Sequence, residues 1–272
     1  MHWLVFTDLD GTLLDADTYS FAEAKDAVSF LKDRRIPLIP CTSKTHTEVI
    51  VLRNQLRIND PFITENGSAI FFENGYFADS GLDTITLNGF RVVVLGKKYE
   101  DILYFLKELK EKYGISARGF HEMDNSEIAE RTGLSKTDAF MARERRFSEP
   151  FILLQNDEDK LNSLKPLIEK KGFRLLQGNR FFHLLGQSDK GVALRRLTAL
   201  YHKYRRGKKF KTVAIGDSLN DLDMLQAADV AVLVKKKNGD YQQDINLPGL
   251  IYSVKAGPSG FSDAVFSIIS GK

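Results

Sequence analysis

The sequence predicts an α/β fold: a parallel sheet with helices on both faces, interrupted by an inserted α+β unit. Two observations predict the sheet. Short apolar runs that end in polar residues alternate with helical segments, and they do so at both ends of the 272-residue chain, as in parallel strands joined by helices. A third observation predicts the insertion. Between residues 87 and 186 several apolar segments follow one another closely, which favours a smaller mixed unit.

The first part of the sheet is predicted from the N-terminal region. WLVFTD (3–8) is a short apolar run that ends in acids, as expected of a buried parallel strand. SFAEAKDAVSFLKDR (20–34) has apolar residues at helical spacing, IPLIPCT (36–42) is typical of a strand, and EVIVLRNQL (48–56) is typical of a helix. PFITENGSAIFFENGYF (61–77) predicts a strand and a hairpin.

The same alternation resumes after the insertion. It predicts a helix at 189–204, a strand at 211–217, a helix at 218–228, a strand at 230–234 and a terminal helix. The predicted architecture is a Rossmann-like core domain in two segments, with an inserted cap domain between them. The core segments are residues 1–86 and 187–272, and the α+β cap is residues 87–186.

Composition limits the class of protein. The chain is 43% hydrophobic and 28% charged, with a formal net charge of +3, which suits a folded domain better than a dedicated nucleic-acid binder. The single cysteine, Cys41, excludes an internal disulfide and fits a reducing compartment. No apolar run approaches the roughly 20 residues that span a bilayer, and no leader pattern precedes the first strand. We expect a cytoplasmic protein without nucleic-acid or membrane partners; its oligomeric state stays open.

Two acids follow the first strand in FTDLDGTLLD. Asp8 and Asp10 would lie at the carboxyl end of that strand, where open α/β sheets bind ligands. Two neighbouring carboxylates repel each other, so burying them requires a compensating cation. Mg²⁺ is the usual hard cation where phosphate is also bound. The alternative is an acidic turn or a helix cap exposed to solvent.

A second acidic cluster, GDSLND (216–221), lies at another strand-to-helix junction. Asp217 ends the strand and Asp221 lies one helical turn later, so both could complete the shell of a metal bound by Asp8 and Asp10. Asn220 could position these acids or contact the substrate. The alternative for Asp217 is a plain helix cap.

Two further residues suit a phosphate group. Thr42 follows the second predicted strand, and its hydroxyl could donate to a phosphate oxygen. The helix beyond it would add an anion-binding end. Lys190, in SDKGVAL (188–194), could supply a positive charge to the same phosphate, although a lone lysine before a helix is usually a surface residue.

Together, the motifs DxDGT, a threonine after the second strand, a lysine and GDxxND resemble the haloacid dehalogenase superfamily of phosphohydrolases. The resemblance implies that Asp8 is a nucleophile that forms an aspartyl-phosphate. It implies that Asp10 protonates the leaving group and then activates water. It also implies that Mg²⁺ is held by Asp8, Asp10 and Asp217, with Asp221 close by.

Three stretches narrow the resemblance to the mannosyl-3-phosphoglycerate phosphatase family: SKT (43–45), RERRFSEPF (143–151) and GNRFFHLLG (178–186). The family's substrate carries a phosphate, a carboxylate and a glycosyl group, and its product is mannosylglycerate, a compatible solute. This implies that core and cap residues share the substrate. The candidates are Ser43, Lys44, Asn66, Arg143, Glu144, Arg146, Ser148, Glu149, Arg180, His183 and Asn220.

Arginine can bind a carboxylate through a bidentate fork. If the 143–146 segment is helical, Arg143 and Arg145 point apart, whereas Arg143 and Arg146 share a face. We therefore favour Arg143 and Arg146 for the carboxylate. The alternative is a helix face in solvent that runs into a strand at Pro150.

Other functions stay open. The chain could hydrolyse glucosyl-3-phosphoglycerate or another sugar phosphate, or be a phosphohexomutase. A non-catalytic sugar-phosphate sensor belongs to a different class, and the presence of Asp8, Asp10 and Asp217 argues against it. His46 is interpreted as a surface or loop residue.

Overall fold

The computed structural model describes residues 2–77, 82–178, 181–205 and 207–270. These residues form thirteen strands: β1 (His2–Thr7), β2 (Leu38–Pro40), β3 (Phe62–Thr64), β4 (Ala69–Glu73), β5 (Ile85–Leu87), β6 (Phe90–Val94), β7 (Ala117–Gly119), β8 (Ser148–Leu153), β9 (Phe173–Gln177), β10 (Phe182–Gly186), β11 (Phe210–Gly216), β12 (Val230–Lys235) and β13 (Ile251–Ala256).

Ten α-helices connect the described strands: α1 (Lys25–Asp33), α2 (His46–Leu56), α3 (Tyr99–Glu111), α4 (Asn125–Thr132), α5 (Lys136–Arg143), α6 (Glu158–Ser163), α7 (Lys165–Lys170), α8 (Lys190–Tyr204), α9 (Leu222–Ala227) and α10 (Gly257–Ser270). Short 3-10 turns join further elements, including Glu65–Gly67 between β3 and β4 and Leu219–Asp221 between β11 and α9. Within the described residues, no helix combines the length and the apolar character needed to cross a membrane.

The core is a five-stranded sheet in the order β13-β12-β11-β1-β2, and every pairing in it is parallel. Successive side chains of β1 point to opposite faces of the sheet, as in any strand. Val5 packs against the apolar sides of α1, α2 and α10. Leu4 and Phe6 pack on the opposite face against α8 and α9. The predicted parallel sheet with helices on both faces is confirmed.

An antiparallel sheet in the order β3-β4-β6-β5 continues the core at one edge. A bridge between Cys41 and Ile63 links it to the end of β2. The predicted division at residue 86 separates β6 from β4, but the two strands pair along their length. Residues 90–94 therefore belong to the core side by contact, and the domain division itself stays a prediction.

The cap has its own antiparallel sheet, in the order β7-β8-β10-β9. Phe151 of β8 and Leu184 of β10 lie on one face and pack with residues of α3, α6 and α7. A second small cluster joins α4 and α5 to Phe120 and Ile152. These two clusters give the inserted α+β unit an apolar interior separate from that of the core.

Candidate functional site

The first acids lie directly after β1, at the carboxyl edge of the parallel sheet. The backbone amide of Asp8 donates to the carbonyl of Ile215 at 2.9 Å, which extends the pairing of β1 with β11 by one residue. The chain then turns at Gly11, where φ is +81°, a conformation that favours glycine. A Cβ at Gly11 would lie 2.7 Å from Oδ2 of Asp217. Glycine therefore lets the two acidic loops approach each other.

The second acidic loop follows β11 and is held by its own hydrogen bonds. Oδ2 of Asp221 accepts from the backbone amides of Asp217 and Ser218, at 3.0 and 3.1 Å. Oγ1 of Thr12 donates to Oδ1 of Asp217 at 3.2 Å, which joins this loop to the first one. Thr12 was not among the predicted site residues, although its place in the DGT motif could have indicated this role.

Lys190 is the first residue of α8, and its side chain has no exposed surface. Its Nζ lies 2.6 Å from Oδ1 of Asp8 and 2.6 Å from Oδ1 of Asp221. An ammonium group without solvent is stable only when it is paired and hydrogen-bonded. The structure therefore places Lys190 in contact with both acidic loops.

The buried charges of this cluster do not balance, since three carboxylates surround one ammonium group. Burial, and then the charge of Asp221, raise the pKa of Asp8 well above its ordinary value, although Lys190 opposes them. The same two causes raise the pKa of Asp217 to about 7. Burial alone would lower the pKa of Lys190, but Asp221 and Asp8 raise it above its ordinary value. The cluster lacks positive charge.

This arrangement fits a divalent cation. Carboxylate oxygens of Asp8, Asp217 and Asp221 all lie within 4.8 Å of one another. Hard cations such as Mg²⁺ prefer oxygen ligands of this kind, and a bound cation would offset the repulsion that raises the pKa values of Asp8 and Asp217. The donor set and its charge therefore suit a divalent metal.

The loop after β2 adds Thr42 and Lys44. Thr42 is buried; its amide donates to the carbonyl of Ile63, and its hydroxyl accepts from the amide of Lys44. Nζ of Lys44 lies 2.9 Å from Oδ2 of Asp10 and 3.5 Å from Oε1 of Glu48. Oδ1 of Asp10 is buried and has no hydrogen-bond partner within the described parts of the chain. That oxygen therefore has a hydrogen-bonding capacity that no described residue uses.

The predicted residues Asn66 and Asn220 join these loops. The amide of Asn66 donates to the carbonyl of Thr42 at 2.9 Å, and Nδ2 of Asn220 approaches Oδ1 of Asn66 at 3.4 Å. Asn66 is buried and has a positive φ of +57°. Asn66 therefore lies between the loop at Thr42 and the second acidic loop, to which Asn220 belongs.

Glu65, beside Asn66, connects the core to the cap and was not predicted. It is fully buried and accepts three hydrogen bonds from consecutive cap residues. These come from the amides of Arg146 and Phe147, both at 3.0 Å, and from the hydroxyl of Ser148 at 2.8 Å. Burial raises the pKa of Glu65, while the charge of Arg145 opposes the rise. No local sequence signal pairs Glu65 with residues 81 or more positions away.

The charged cap segment is not one helix. The expectation that Arg143 and Arg146 share a helical face is wrong, because α5 ends at Arg143. Arg143 is exposed and donates to the carbonyl of His121 at 3.3 Å. Arg145, which was set aside, is buried and donates to the carbonyl of Ser43 at 2.7 Å. Arg146 is exposed, so its side chain is accessible to a ligand.

The other predicted cap residues differ in their surroundings. Glu149 is buried; Tyr99 donates to its Oε2 at 2.6 Å, and the amide of His121 donates to its Oε1 at 3.0 Å. These bonds give Glu149 a structural role inside the cap, and its contact with substrate stays a prediction. Glu144 follows the last residue of α5 and is half-buried.

His183 and Arg180 were predicted on the strand next to this segment. His183 lies in β10 opposite Pro150, and its Nδ1 is buried without a hydrogen-bond partner in the part of the chain that the structure describes. Burial and the charge of Arg145 lower the pKa of His183 to about 3. Arg180 lies outside the described residues.

Comparison with known proteins identifies the family. The model of the haloacid dehalogenase-like hydrolases matches residues 5–243. The chain is 38% identical over 269 residues to a protein of Methanococcoides burtonii named glucosyl-3-phosphoglycerate/mannosyl-3-phosphoglycerate phosphatase, with 99% of this chain and 98% of the relative covered. A protein of Persephonella marina with the same name is 37% identical over 268 residues, with 98% and 97% covered.

A solved structure from Thermoplasma acidophilum shares the fold, with a TM-score of 0.70, 19% identity and 99% of both chains covered. The chain belongs to the haloacid dehalogenase-like hydrolases. Within that family it is a phosphoric monoester hydrolase related along nearly its whole length to sugar-phosphate phosphatases. The predicted family, fold class and enzyme class are therefore confirmed.

Proposed function

We propose that the protein is a Mg²⁺-dependent phosphatase that hydrolyses mannosyl-3-phosphoglycerate to mannosylglycerate and phosphate. The observation that carries the proposal is the buried cluster in which Lys190 contacts Asp8 and Asp221 at 2.6 Å, beside Asp217. With a divalent cation added to Lys190, such a cluster would suit a phosphate dianion that meets a carboxylate nucleophile. The names of the two relatives support the choice of a glycosyl-3-phosphoglycerate as substrate.

Asp8 is the nucleophile in this proposal. A carboxylate oxygen of Asp8 forms a bond to phosphorus while the bond from phosphorus to the glycerate oxygen breaks, which leaves an aspartyl-phosphate. Water then attacks phosphorus, the bond to Asp8 breaks, and phosphate leaves. Phosphoryl transfer of this kind depends mainly on positioning and charge stabilisation.

Asp10 transfers the protons. In its protonated form it gives a proton to the leaving glycerate oxygen, and as a carboxylate it takes one from the attacking water. Its Oδ2 pairs with Lys44 at 2.9 Å, while its buried Oδ1 lacks a partner among the described residues. Lys44 therefore has to exchange Asp10 for a group of the substrate before Asp10 donates its proton.

Lys190 and Thr42 orient the phosphate, Lys190 by charge and Thr42 through its hydroxyl. Asp8, Asp217 and the backbone carbonyl of Asp10 would hold Mg²⁺, with Asp221 close by. Bound Mg²⁺ supplies Lewis-acid neutralisation of the phosphate charge. Asp221 keeps Lys190 in place and closes the second acidic loop.

For the glycerate carboxylate, exposed Arg146 is the stronger candidate, with Arg143 as the other. The backbone of Arg146 is fixed by Glu65 while its side chain is exposed. Arg145, in contrast, donates its guanidinium hydrogen bond to the carbonyl of Ser43.

The cytoplasmic location stays a prediction. The single cysteine, Cys41, is a free buried thiol, which fits a reducing compartment.

Glucosyl-3-phosphoglycerate is a second candidate substrate, because the names of both relatives include both sugars. Epimers that differ in one hydroxyl are separated only where that hydroxyl meets a buried polar partner. An enzyme without such a partner for that hydroxyl would accept both the mannosyl and the glucosyl substrate.

Phosphate release tests the proposal. Mannosyl-3-phosphoglycerate, glucosyl-3-phosphoglycerate and mannose 6-phosphate are compared with Mg²⁺ and with EDTA, and the Asp8→Asn variant is the control. We expect turnover of a glycosyl-3-phosphoglycerate that is lost in EDTA and in the variant. Activity on mannose 6-phosphate alone would exclude the glycerate substrate. Binding of the substrate without any phosphate release would favour the sensor.

A further inference from the structure

We propose that the glycosyl group of the substrate binds in a cavity between core helix α2 and cap helix α5, next to Lys44. This inference rests on the proposed function. The cavity has a volume of about 210 Å³. Its walls come from the core and from the cap, and the residues that carry the argument are Tyr19, Lys44, Val51, Gln55, Asp138 and Met141.

The position of the cavity follows from Lys44. This residue lines the cavity, and its Nζ lies 2.9 Å from Oδ2 of Asp10. In the proposed reaction Asp10 protonates the leaving glycerate oxygen, so the leaving group lies on the Asp10 side of the phosphate. The part of the substrate beyond the glycerate therefore extends past Asp10 to Lys44 and into the space behind it.

The lining suits a pyranose ring, which has apolar carbon faces and a rim of hydroxyl groups. Leu52, Val51 and Met141 supply apolar surface, while Gln55 and Asp138 supply amide and carboxylate groups. Binding sites for small molecules typically combine an apolar lining with a few polar groups. The glycerate and phosphate carry only charged groups next to a short carbon chain, so they would leave this apolar surface unused.

Two features of the cavity wall favour a ligand over ordinary packing. Tyr19 and Val51 line the cavity, yet they remain 37% and 40% exposed. Tyr19 also has a positive φ of +56°, which is costly for a bulky residue and concentrates at functional sites. Together they present a ring and an aliphatic side chain to the space beside Lys44.

The size of the cavity limits the ligand. Pockets for drug-sized molecules occupy roughly 300–1,000 Å³, whereas this cavity has about 210 Å³. One sugar ring is therefore the appropriate occupant, and a longer saccharide would project into solvent. The cap strand β8 has fewer polar groups free to bind a sugar. Its residues Ser148 and Glu149 already form hydrogen bonds with Glu65, Tyr99 and His121.

The cavity also lies across the contact between the two domains. Oγ1 of Thr45, at the start of α2, donates to the carbonyl of Met141 in α5 at 2.9 Å. A sugar held between these helices contacts both domains at once. The glycosyl group would then contribute to the docking of the cap as well as to affinity.

Filling the cavity tests the inference. Val51→Trp adds bulk from an exposed position of α2, and Met141→Trp adds bulk from the cap wall. Val254→Trp is the matched control, since Val254 is 79% exposed on β13 and is not part of the cavity wall. Each change is placed in an Asp8→Asn background. Calorimetry with Mg²⁺ then measures binding of mannosyl-3-phosphoglycerate and of 3-phosphoglycerate, which lacks the sugar.

We expect both cavity variants to weaken mannosyl-3-phosphoglycerate by at least about tenfold, and 3-phosphoglycerate by less than about twofold. The control should change neither. An equal loss for both ligands, or no loss for either, would overturn the glycosyl subsite.

Turnover by the unmodified protein distinguishes failure of the subsite from failure of the proposed function. If it hydrolyses no glycosyl-3-phosphoglycerate, the proposed function fails and the subsite with it; if it does, unchanged binding in the variants refutes the subsite alone.

Discussion

The acidic cluster of the core and the charged segment of the cap contain similar residues in opposite states. In the core, Asp8 and Asp217 are short of positive partners, and their pKa values are raised. In the cap, Arg145 and Glu149 are buried with hydrogen-bond partners from other segments. Buried charge without enough partners in the protein marks a place where a ligand completes the site. Buried charge whose hydrogen-bond partners are present stabilises the fold.

The largest expected effect comes from Asp8→Asn. If Asp8 is the nucleophile, as proposed, its removal should reduce turnover at least about 10³-fold. The same change removes one carboxylate from a cluster with too many, so the thermal midpoint should stay the same or rise. Asp221→Asn should instead lower the thermal midpoint, because Asp221 accepts hydrogen bonds from two amides and from Lys190. Calorimetric unfolding of both variants checks this, and a midpoint lower in Asp8→Asn than in Asp221→Asn would contradict it.

Glu65→Ala tests whether the buried, hydrogen-bonded charges of the cap stabilise the fold. The substitution leaves the amides of Arg146 and Phe147 and the charge of Arg145 without their buried acceptor. Loss of one partner from such a network costs about 3–5 kcal/mol, and urea unfolding would measure it. Glu73→Ala is the control, since the Glu73 side chain is 48% exposed. A loss in Glu65→Ala no larger than in the control would refute the docking role.

Arg146→Ala and Arg145→Ala separate ligand binding from structure. Arg146 is exposed, so its loss should raise KM for a glycosyl-3-phosphoglycerate about tenfold and leave the thermal midpoint unchanged. Arg145 is buried against Ser43, so its loss should lower the midpoint. Steady-state kinetics and thermal unfolding check both expectations. The opposite pattern would mean that Arg145 binds the carboxylate.

At neutral pH the smallest expected effect is that of His183, whose contribution to stability changes only in acid. Its pKa is lowered to about 3 by burial and by Arg145, whereas the unfolded side chain titrates near 6.5. Between these values the unfolded state binds one proton more, so stability falls as the pH decreases from about 6.5 to about 3. His183→Gln should reduce the slope of unfolding free energy against pH by up to about 1.4 kcal/mol per pH unit. Identical slopes in both proteins would show that His183 titrates normally.

The core could be predicted from sequence because its signals are local. The acids of β1 and β11 directly follow apolar strands, and parallel strands bring their carboxyl ends to one edge. The capping box of α2, with Thr45 and Glu48, is local as well.

The cap could not be predicted to the same depth, because its partners are remote. Helix α5 ends at Arg143, and the amides of Arg146 and Phe147 donate to Glu65, which lies about 80 positions earlier in the chain. The interpretation of His46 as a surface residue is wrong for the same reason. His46 is 1% exposed, stacked on Phe71 and bonded to Asn88, and neither neighbour is visible in its local sequence.

The turn at Glu65–Gly67 has a consequence for protein engineering. Glu65 belongs to the core by chain order but to the cap by contact, and Gly67 has no room for a Cβ because it would lie 2.1 Å from the carbonyl oxygen of Asp189. That carbonyl directly precedes Lys190. A chimera that keeps this core and takes its cap from a relative therefore needs a cap that presents matching donors to Glu65, because the turn that holds Glu65 packs against the backbone just before Lys190. The cap is not an interchangeable module, since Ser43, Thr45 and Glu65 of the core all form hydrogen bonds with it.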